Sequence, residues 1–306
     1  GILRTLSHRK PSSILREEIL SLVKKSAKAA PISANRKLAY ASAFFNWCVD
    51  EGILPLNPAA SIRRPSRERQ RDRLHSLAEL REIWAAAGTL AYPFEQLFRL
   101  LIVLPNRRQE IASMEINDLD LADDDHPGDG AWLLRSERTK KGNALRIPLS
   151  PLARLLILDA VNASDTPKGS KSVFSTTGDT PISGFTKGRR RLDSAIQAAR
   201  VERAGDIETA PMPHWVTHDL RTTFNTHCCE ILNVPPHVAD RILNHVATAT
   251  RSKIMRVYNK SELFEPRREA LSAWADLILA RVVENDSSER AMSGVLDTGD
   301  LAQAAQ

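Results

Sequence analysis

The chain has 306 residues, 42% hydrophobic and 26% charged, with a formal net charge of +6 and a pI near 9.4. That length supports two domains with cores of their own. No run approaches the roughly 18 apolar residues of a membrane helix, and the start Gly1-Ile2-Leu3-Arg4-Thr5 lacks the apolar core and cleavage site of a secretion signal and reads as the trimmed start of a longer protein. A basic balance favours a polyanionic partner without separating DNA from RNA or an anionic membrane. The three cysteines, Cys48, Cys228 and Cys229, form no C-x-x-C pair; neither a disulfide scaffold nor a cysteine zinc site is expected, and a reducing cytoplasm fits.

In chain order, Leu15, Ile19, Leu22 and Val23 share one face of a predicted helix over 12–29. A second helix is predicted over 33–50, with Leu38, Ala41, Phe44, Phe45 and Cys48 apolar and Gly52, Pro55 and Pro58 behind it. Residues 63–73 then read RRPSRERQRDR, six arginines in eleven positions. This is either a solvated linker or one that crosses a phosphate backbone. The domain boundary falls here: a helical domain at 1–62, a basic linker at 63–75, a second domain at 76–284 and a tail at 285–306 without periodicity, expected to be disordered.

Ser76-Leu77-Ala78-Glu79 is a capping box that opens the second domain. Phe94, Leu97, Phe98, Leu101 and Ile102 predict a buried helix, and a short one follows from Arg108. Trp132–Leu134 and Leu145–Leu149 flank the polar turn Thr139–Asn143, which predicts a hairpin. Ser150-Pro151 reads as the N-cap and first-turn proline of a helix reaching Val161. Further helices are predicted at 184–203, 219–232, 236–244, 248–258 and 266–284. The fold class is mainly α with a small antiparallel sheet (α+β).

Five separated segments stand out together: Arg107-Arg108-Gln109-Glu110, Thr139-Lys140-Lys141-Gly142 with Pro148 beyond it, His218-Asp219-Leu220-Arg221, Leu243-Asn244-His245, and Tyr258 followed by Arg267-Arg268 and Trp274. Each alone is weak, because His-x-x-Arg arises by chance in many proteins. In this order the chain, from about residue 12 to 280, resembles the tyrosine recombinases of the phage-integrase family, in particular the integrases of prophages and genomic islands. The stretches SANRKLAYASAFFNWCVDEGILPLNPA and YNKSELFEPRREALSAWADLI carry the same resemblance outside the motifs.

The resemblance implies a helical core-binding domain, here short, and a catalytic domain that together enclose double-stranded DNA attachment sites. It implies Tyr258 as the nucleophile that forms a 3′-phosphotyrosine, with Arg107, Lys140, His218, Arg221 and His245 around the phosphate. The residue types suit the chemistry. A phosphorane carries extra negative charge, and guanidinium groups stay charged and fork onto two oxygens. The covalent phosphotyrosine conserves the phosphodiester, so no cofactor is needed. With arginines supplying positive charge, no metal is expected. Lys140 would protonate the leaving 5′-hydroxyl. The pattern Lys-x-Gly, with proline eight positions on, favours it over Lys141. Glu110 reads as a buttress for an arginine, and His214 and His227 match no motif position.

Backbone contacts to DNA are expected from Arg63, Arg64, Arg67, Arg69, Lys187, Arg189, Arg190 and Arg191. The family also implies a tetramer on two DNA sites, accessory DNA-bending proteins, no membrane, and a cytoplasmic, nucleoid-associated location. The final helix, with Leu271, Trp274, Leu277 and Ile278, would dock either on a neighbouring protomer or on its own domain.

One departure stands out. The family places Thr-Gly ahead of its first arginine, whereas this chain has Leu104-Pro105-Asn106. Proline fixes φ near −65° and cannot take the positive φ open to glycine, so a reshaped loop is expected. Two alternatives therefore stay open: a catalytically silent, integrase-derived DNA-binding protein, and a type IB topoisomerase-like enzyme.

Overall fold

The computed structural model describes residues 2–67, 72–121, 130–139, 142–163, 165–244 and 262–284. The chain divides into two compact units, Gly1–Arg71 and Asp72–Gln306, each with its own apolar core.

The first unit contains α1 (Ile2–Leu6), α2 (Arg16–Ala29) and α3 (Pro31–Asp50). Pro31 sits in the first turn of α3, where its missing N–H costs nothing, and Gly52 at φ 70° turns the chain away from its end. Ile19 and Val23 of α2 meet Leu38, Ala41, Phe45 and Cys48 of α3, closed off by Leu54, Ala59 and Ile62. The backbone just beyond is tied back by buried Asn35. Its amide donates to the Ser66 carbonyl at 2.7 Å and accepts from the Ser66 N–H at 3.2 Å. The first residues of the basic linker therefore pack with this unit.

The second unit contains α4 (Leu77–Ala87), α5 (Phe94–Val103), α6 (Arg108–Ala112), β1 (Leu119–Asp120), β2 (Ala131–Leu134), β3 (Leu145–Pro148), α7 (Pro151–Asn162), α8 (Phe185–Ala204), α9 (Asp219–Glu230), α10 (Pro236–Ile242) and α11 (Phe264–Ile278). The expected capping box forms, with Ser76 Oγ accepting from the Glu79 N–H at 3.1 Å and Glu79 accepting from the Ser76 N–H at 3.0 Å. The predicted hairpin is the β2–β3 pair of a three-stranded antiparallel sheet, in register Trp132↔Ile147 and Leu134↔Leu145. The predicted helix at 248–258 lies outside the described residues, as does the tail from 285.

α5 is the centre of the unit: it packs against α4, α6, α7, α9 and α11. α8 crosses its start so closely that a Cβ added to Gly188 would stand 2.4 Å from the Phe94 ring. α11 folds back onto its own domain. Leu271, Trp274 and Ile278 are buried, the Trp274 indole donates to the Ile102 carbonyl at 2.9 Å, and its ring meets Phe224 edge-on and stacks with His227. The alternative of a face free for a neighbouring protomer is thereby corrected for these three side chains: they are used within the fold. Among the described residues no helix is long and apolar enough to cross a membrane.

Candidate active site

The site is built from two helix starts and the loops before them. Arg107 is the N-cap of α6, and Glu110 reaches back to it twice, accepting from its N–H at 2.8 Å and from Nη1 at 2.7 Å. Glu110 is buried, so its charge needs this partner. The buttressing role expected from sequence is the geometry observed. The neighbouring Arg108 is exposed and stacks over Phe185 at 4.2 Å, which separates the two arginines: only Arg107 turns to the buried carboxylate.

Arg221 lies in the first turn of α9 and is buried. Its Nη1 donates to the carbonyl of Pro105, and its Nη2 donates to the carbonyl of Leu243 at 2.7 Å. Its Nε is buried without a hydrogen-bond partner among the described residues. Burial, and after it the like charge of Arg107, push its pKa down to about 10, against the pull of Glu110. It remains cationic at neutral pH. Two guanidinium groups that repel each other beside one carboxylate form a site whose electrostatics improve when an anion arrives.

His218 occupies the position before the first residue of α9 and is exposed, three residues before Arg221. Asp219 accepts from the Val216 N–H at 2.8 Å and fixes the chain on which His218 sits. Asn244 takes φ 49°, a left-handed conformation that asparagine tolerates better than most residues. It follows directly on the Leu243 carbonyl held by Arg221. His245 is the next residue. It lies outside the described residues, as do Lys140 and Tyr258. Arg107, Arg221 and His218 are thus placed by the structure, and Arg107 and Arg221 are brought together.

Several residues of the site's frame carried no sequence signal. The Pro105 and Leu243 carbonyls are two. Arg267, part of the fifth motif segment but given no role there, is buried: it donates to the Glu262 carbonyl at 2.7 Å and the Arg146 carbonyl at 2.8 Å, pinning the start of α11 to β3. His227, which matched no motif, bonds the His75 carbonyl at 2.8 Å and stacks on Trp274, a structural role.

Among the expected DNA-contact residues, Arg63, Arg64, Arg67, Lys187, Arg190 and Arg191 are exposed, and Arg69 lies outside the described residues. Arg189 is committed elsewhere: it bonds Asp193 and the Trp215 carbonyl and covers the Trp215 ring at 3.6 Å. Among the described residues no cluster of three or more metal-ligating side chains occurs.

A mainly α domain with a small sheet thus presents two neighbouring arginines, one on a buried carboxylate and one on two backbone carbonyls, an arrangement suited to receiving a phosphoryl group. The model of the phage integrase family matches residues 75–262. The chain belongs to that family and is a site-specific recombinase of the tyrosine type. It is similar in fold to a lambda integrase dimer bound to a COC′ core site (TM-score 0.56, 18% identity, over 83% of this chain and 82% of that one). A lambda integrase tetramer bound to a Holliday junction gives a TM-score of 0.57 at 20% identity, over 79% and 67% of the two chains. The integrase of transposon Tn1549 bound to the transposon's right-end DNA gives 0.56 at 13% identity, over 90% of each. No curated protein sequence matches.

Proposed function

We propose that this recombinase cuts and rejoins duplex DNA at attachment sites through a covalent intermediate on Tyr258, and so integrates or excises a mobile element. The Tyr258 oxygen attacks phosphorus, the bond from phosphorus to the 5′ oxygen breaks, and Lys140 supplies the proton for the departing hydroxyl. Rejoining is the reverse, with a 5′-hydroxyl of the partner strand attacking the phosphotyrosine. Arg107 and Arg221 neutralise the charge that builds on the phosphoryl oxygens. His218 and His245 bond the same oxygens or assist proton transfer. The observation that supports the reading is the closeness of Arg107, held by Glu110, to Arg221, held by the Pro105 and Leu243 carbonyls. It persists despite Leu104-Pro105 in place of Thr-Gly.

The proposed partner is double-stranded DNA, met by the unit at 1–62, the basic stretch 63–75 and the catalytic unit 76–284. Exposed Arg63, Arg64, Arg67, Lys187, Arg190 and Arg191 would supply phosphate contacts and a salt-dependent affinity. Strand exchange requires four copies on two sites, with accessory bending proteins where the sites are far apart. The test is a nicked suicide substrate carrying the element's attachment site. The intact protein forms a covalent adduct that disappears in Tyr258→Phe. Absence of any adduct from the intact protein would instead indicate a silent DNA-binding descendant.

A further inference from the structure

A second ionic cluster lies at the foot of the β2–β3 hairpin. Asp118 is buried, its side chain 1% exposed, with Arg135 Nε at 2.6 Å from one carboxylate oxygen and Arg138 Nη1 at 3.7 Å from the other. Arg138 also pairs with Glu115 and donates to the Ser113 carbonyl. Ser113 is the C-cap of α6, the helix that Arg107 opens. Residues 113–118 are held from the other side as well. The Val173 N–H donates to the Met114 carbonyl and the Ile116 N–H to the Lys171 carbonyl, both at 2.9 Å, and Glu115 bridges to Ser172. From Arg135 the chain closes into a tight turn. The Thr139 N–H and hydroxyl both donate to the Ser136 carbonyl, at 3.1 and 3.0 Å. Lys140 is the next residue.

Exposed ion pairs contribute little. This cluster differs because the Asp118 charge is out of water and must be matched where it sits. Arg135 is half exposed and meets one acceptor, whereas Arg138 meets three, all between Ser113 and Asp118. A continuous chain of bonded groups therefore runs from the end of the Arg107 helix, through Arg138, to Thr139, the residue before Lys140.

We propose that Arg138, held by Glu115, Asp118 and the Ser113 carbonyl, is a positioning residue that anchors the Ser136–Thr139 turn, which leads into Lys140, to the end of the helix that Arg107 opens, so that proton delivery and charge neutralisation act on the same phosphate. This rests on the reading of Lys140 as the proton donor. Misplacement of a donor by about 1 Å lowers a rate by roughly 10²-fold.

The test compares cleavage of ordinary DNA with cleavage of DNA in which sulfur replaces the bridging 5′ oxygen. The sulfur leaves as a thiolate and needs no proton. Arg138→Met is expected to slow ordinary cleavage tenfold or more within the ~10²–10⁴-fold that a general acid supplies, and to return to within about threefold of the intact protein on the sulfur substrate. Glu115→Gln, which leaves Asp118 and Arg135 paired, is expected to show the same pattern more weakly and serves if Arg138→Met does not fold. Lys140→Ala must itself be rescued by sulfur. If it is not, the proton-donor reading fails and the proposal with it. If Lys140→Ala is rescued but Arg138→Met and Glu115→Gln are equally slow on both substrates, or slow on neither, Arg138 has no positioning role.

Discussion

Arg221 donates to the carbonyl oxygen of Pro105, across 116 positions of sequence. The proline that breaks the family pattern thus supplies one of the two carbonyls that aim Arg221, and Leu243, two residues before His245, supplies the other. A backbone carbonyl is indifferent to the side chain above it, which is why proline serves where Thr-Gly is usual.

Arg221→Lys should therefore be far from conservative. An ammonium is a point charge and cannot fork onto two carbonyls and a phosphate in one plane. Adduct formation on the suicide substrate is expected to fall about 10²–10³-fold, with the circular dichroism spectrum unchanged. Retention of activity within about threefold would remove Arg221 from the site.

Pro105→Gly keeps the carbonyl and returns the pattern's glycine. Its main effect is on the unfolded chain, which gains freedom, so stability should drop by about 1 kcal/mol. Adduct formation should change less than tenfold. Urea unfolding and the suicide substrate measure the two separately, and a gain in activity above tenfold would mean that proline does hold the loop away from its working shape.

His75 predicts a pH dependence. It is fully buried, and its Nδ1 lies 3.0 Å from the Thr223 hydroxyl, which donates its own hydrogen to the Asp219 carbonyl, so Nδ1 carries the ring proton. Burial, with Arg73 second and Arg189 adding to it, lowers the imidazole pKa from 6.5 to about 4, while Glu79 and Asp219 pull the other way. The folded protein resists a proton that the unfolded chain accepts. Above pH 6.5 the group has no effect on stability. Between pH 6.5 and about 4 it costs progressively more, approaching about 3 kcal/mol. Urea midpoints of the intact protein should fall over that window more steeply than those of His75→Asn, and parallel curves would contradict the assignment.

Gly188 is a packing constraint. Gly188→Ala would drive a methyl into the Phe94 ring where α8 crosses α5 and should cost about 1–3 kcal/mol in thermal unfolding. Phe94→Leu in the same chain should recover part of that loss, and an additive double variant would place the strain elsewhere.

Much of the fold was legible because its signals are local. The Ser76 capping box, the Ser150-Pro151 start and the apolar spacing of α5 each sit within a few residues and form as expected. The motif order singled out Arg107, His218 and Arg221, and the structure sets all three at helix starts, with Arg107 and Arg221 close enough to repel each other. The basic run at 187–191 was legible only as charge. Trp215, twenty-four or more residues further on, captures Arg189 and leaves its neighbours exposed, and nothing in the run itself marks which arginine that would be.

The sequence by itself determined the family and most of the secondary structure among the described residues of the second unit, because periodicity, caps and motif order are written in the side chains themselves. Only the tertiary structure decided where those side chains are aimed. Arg221 is fixed by carbonyls of Pro105 and Leu243, Arg138 by the Ser113 carbonyl, and Trp274 by that of Ile102. Every residue carries a carbonyl, so no residue type encodes such a bond; burial and chain geometry select which one is met.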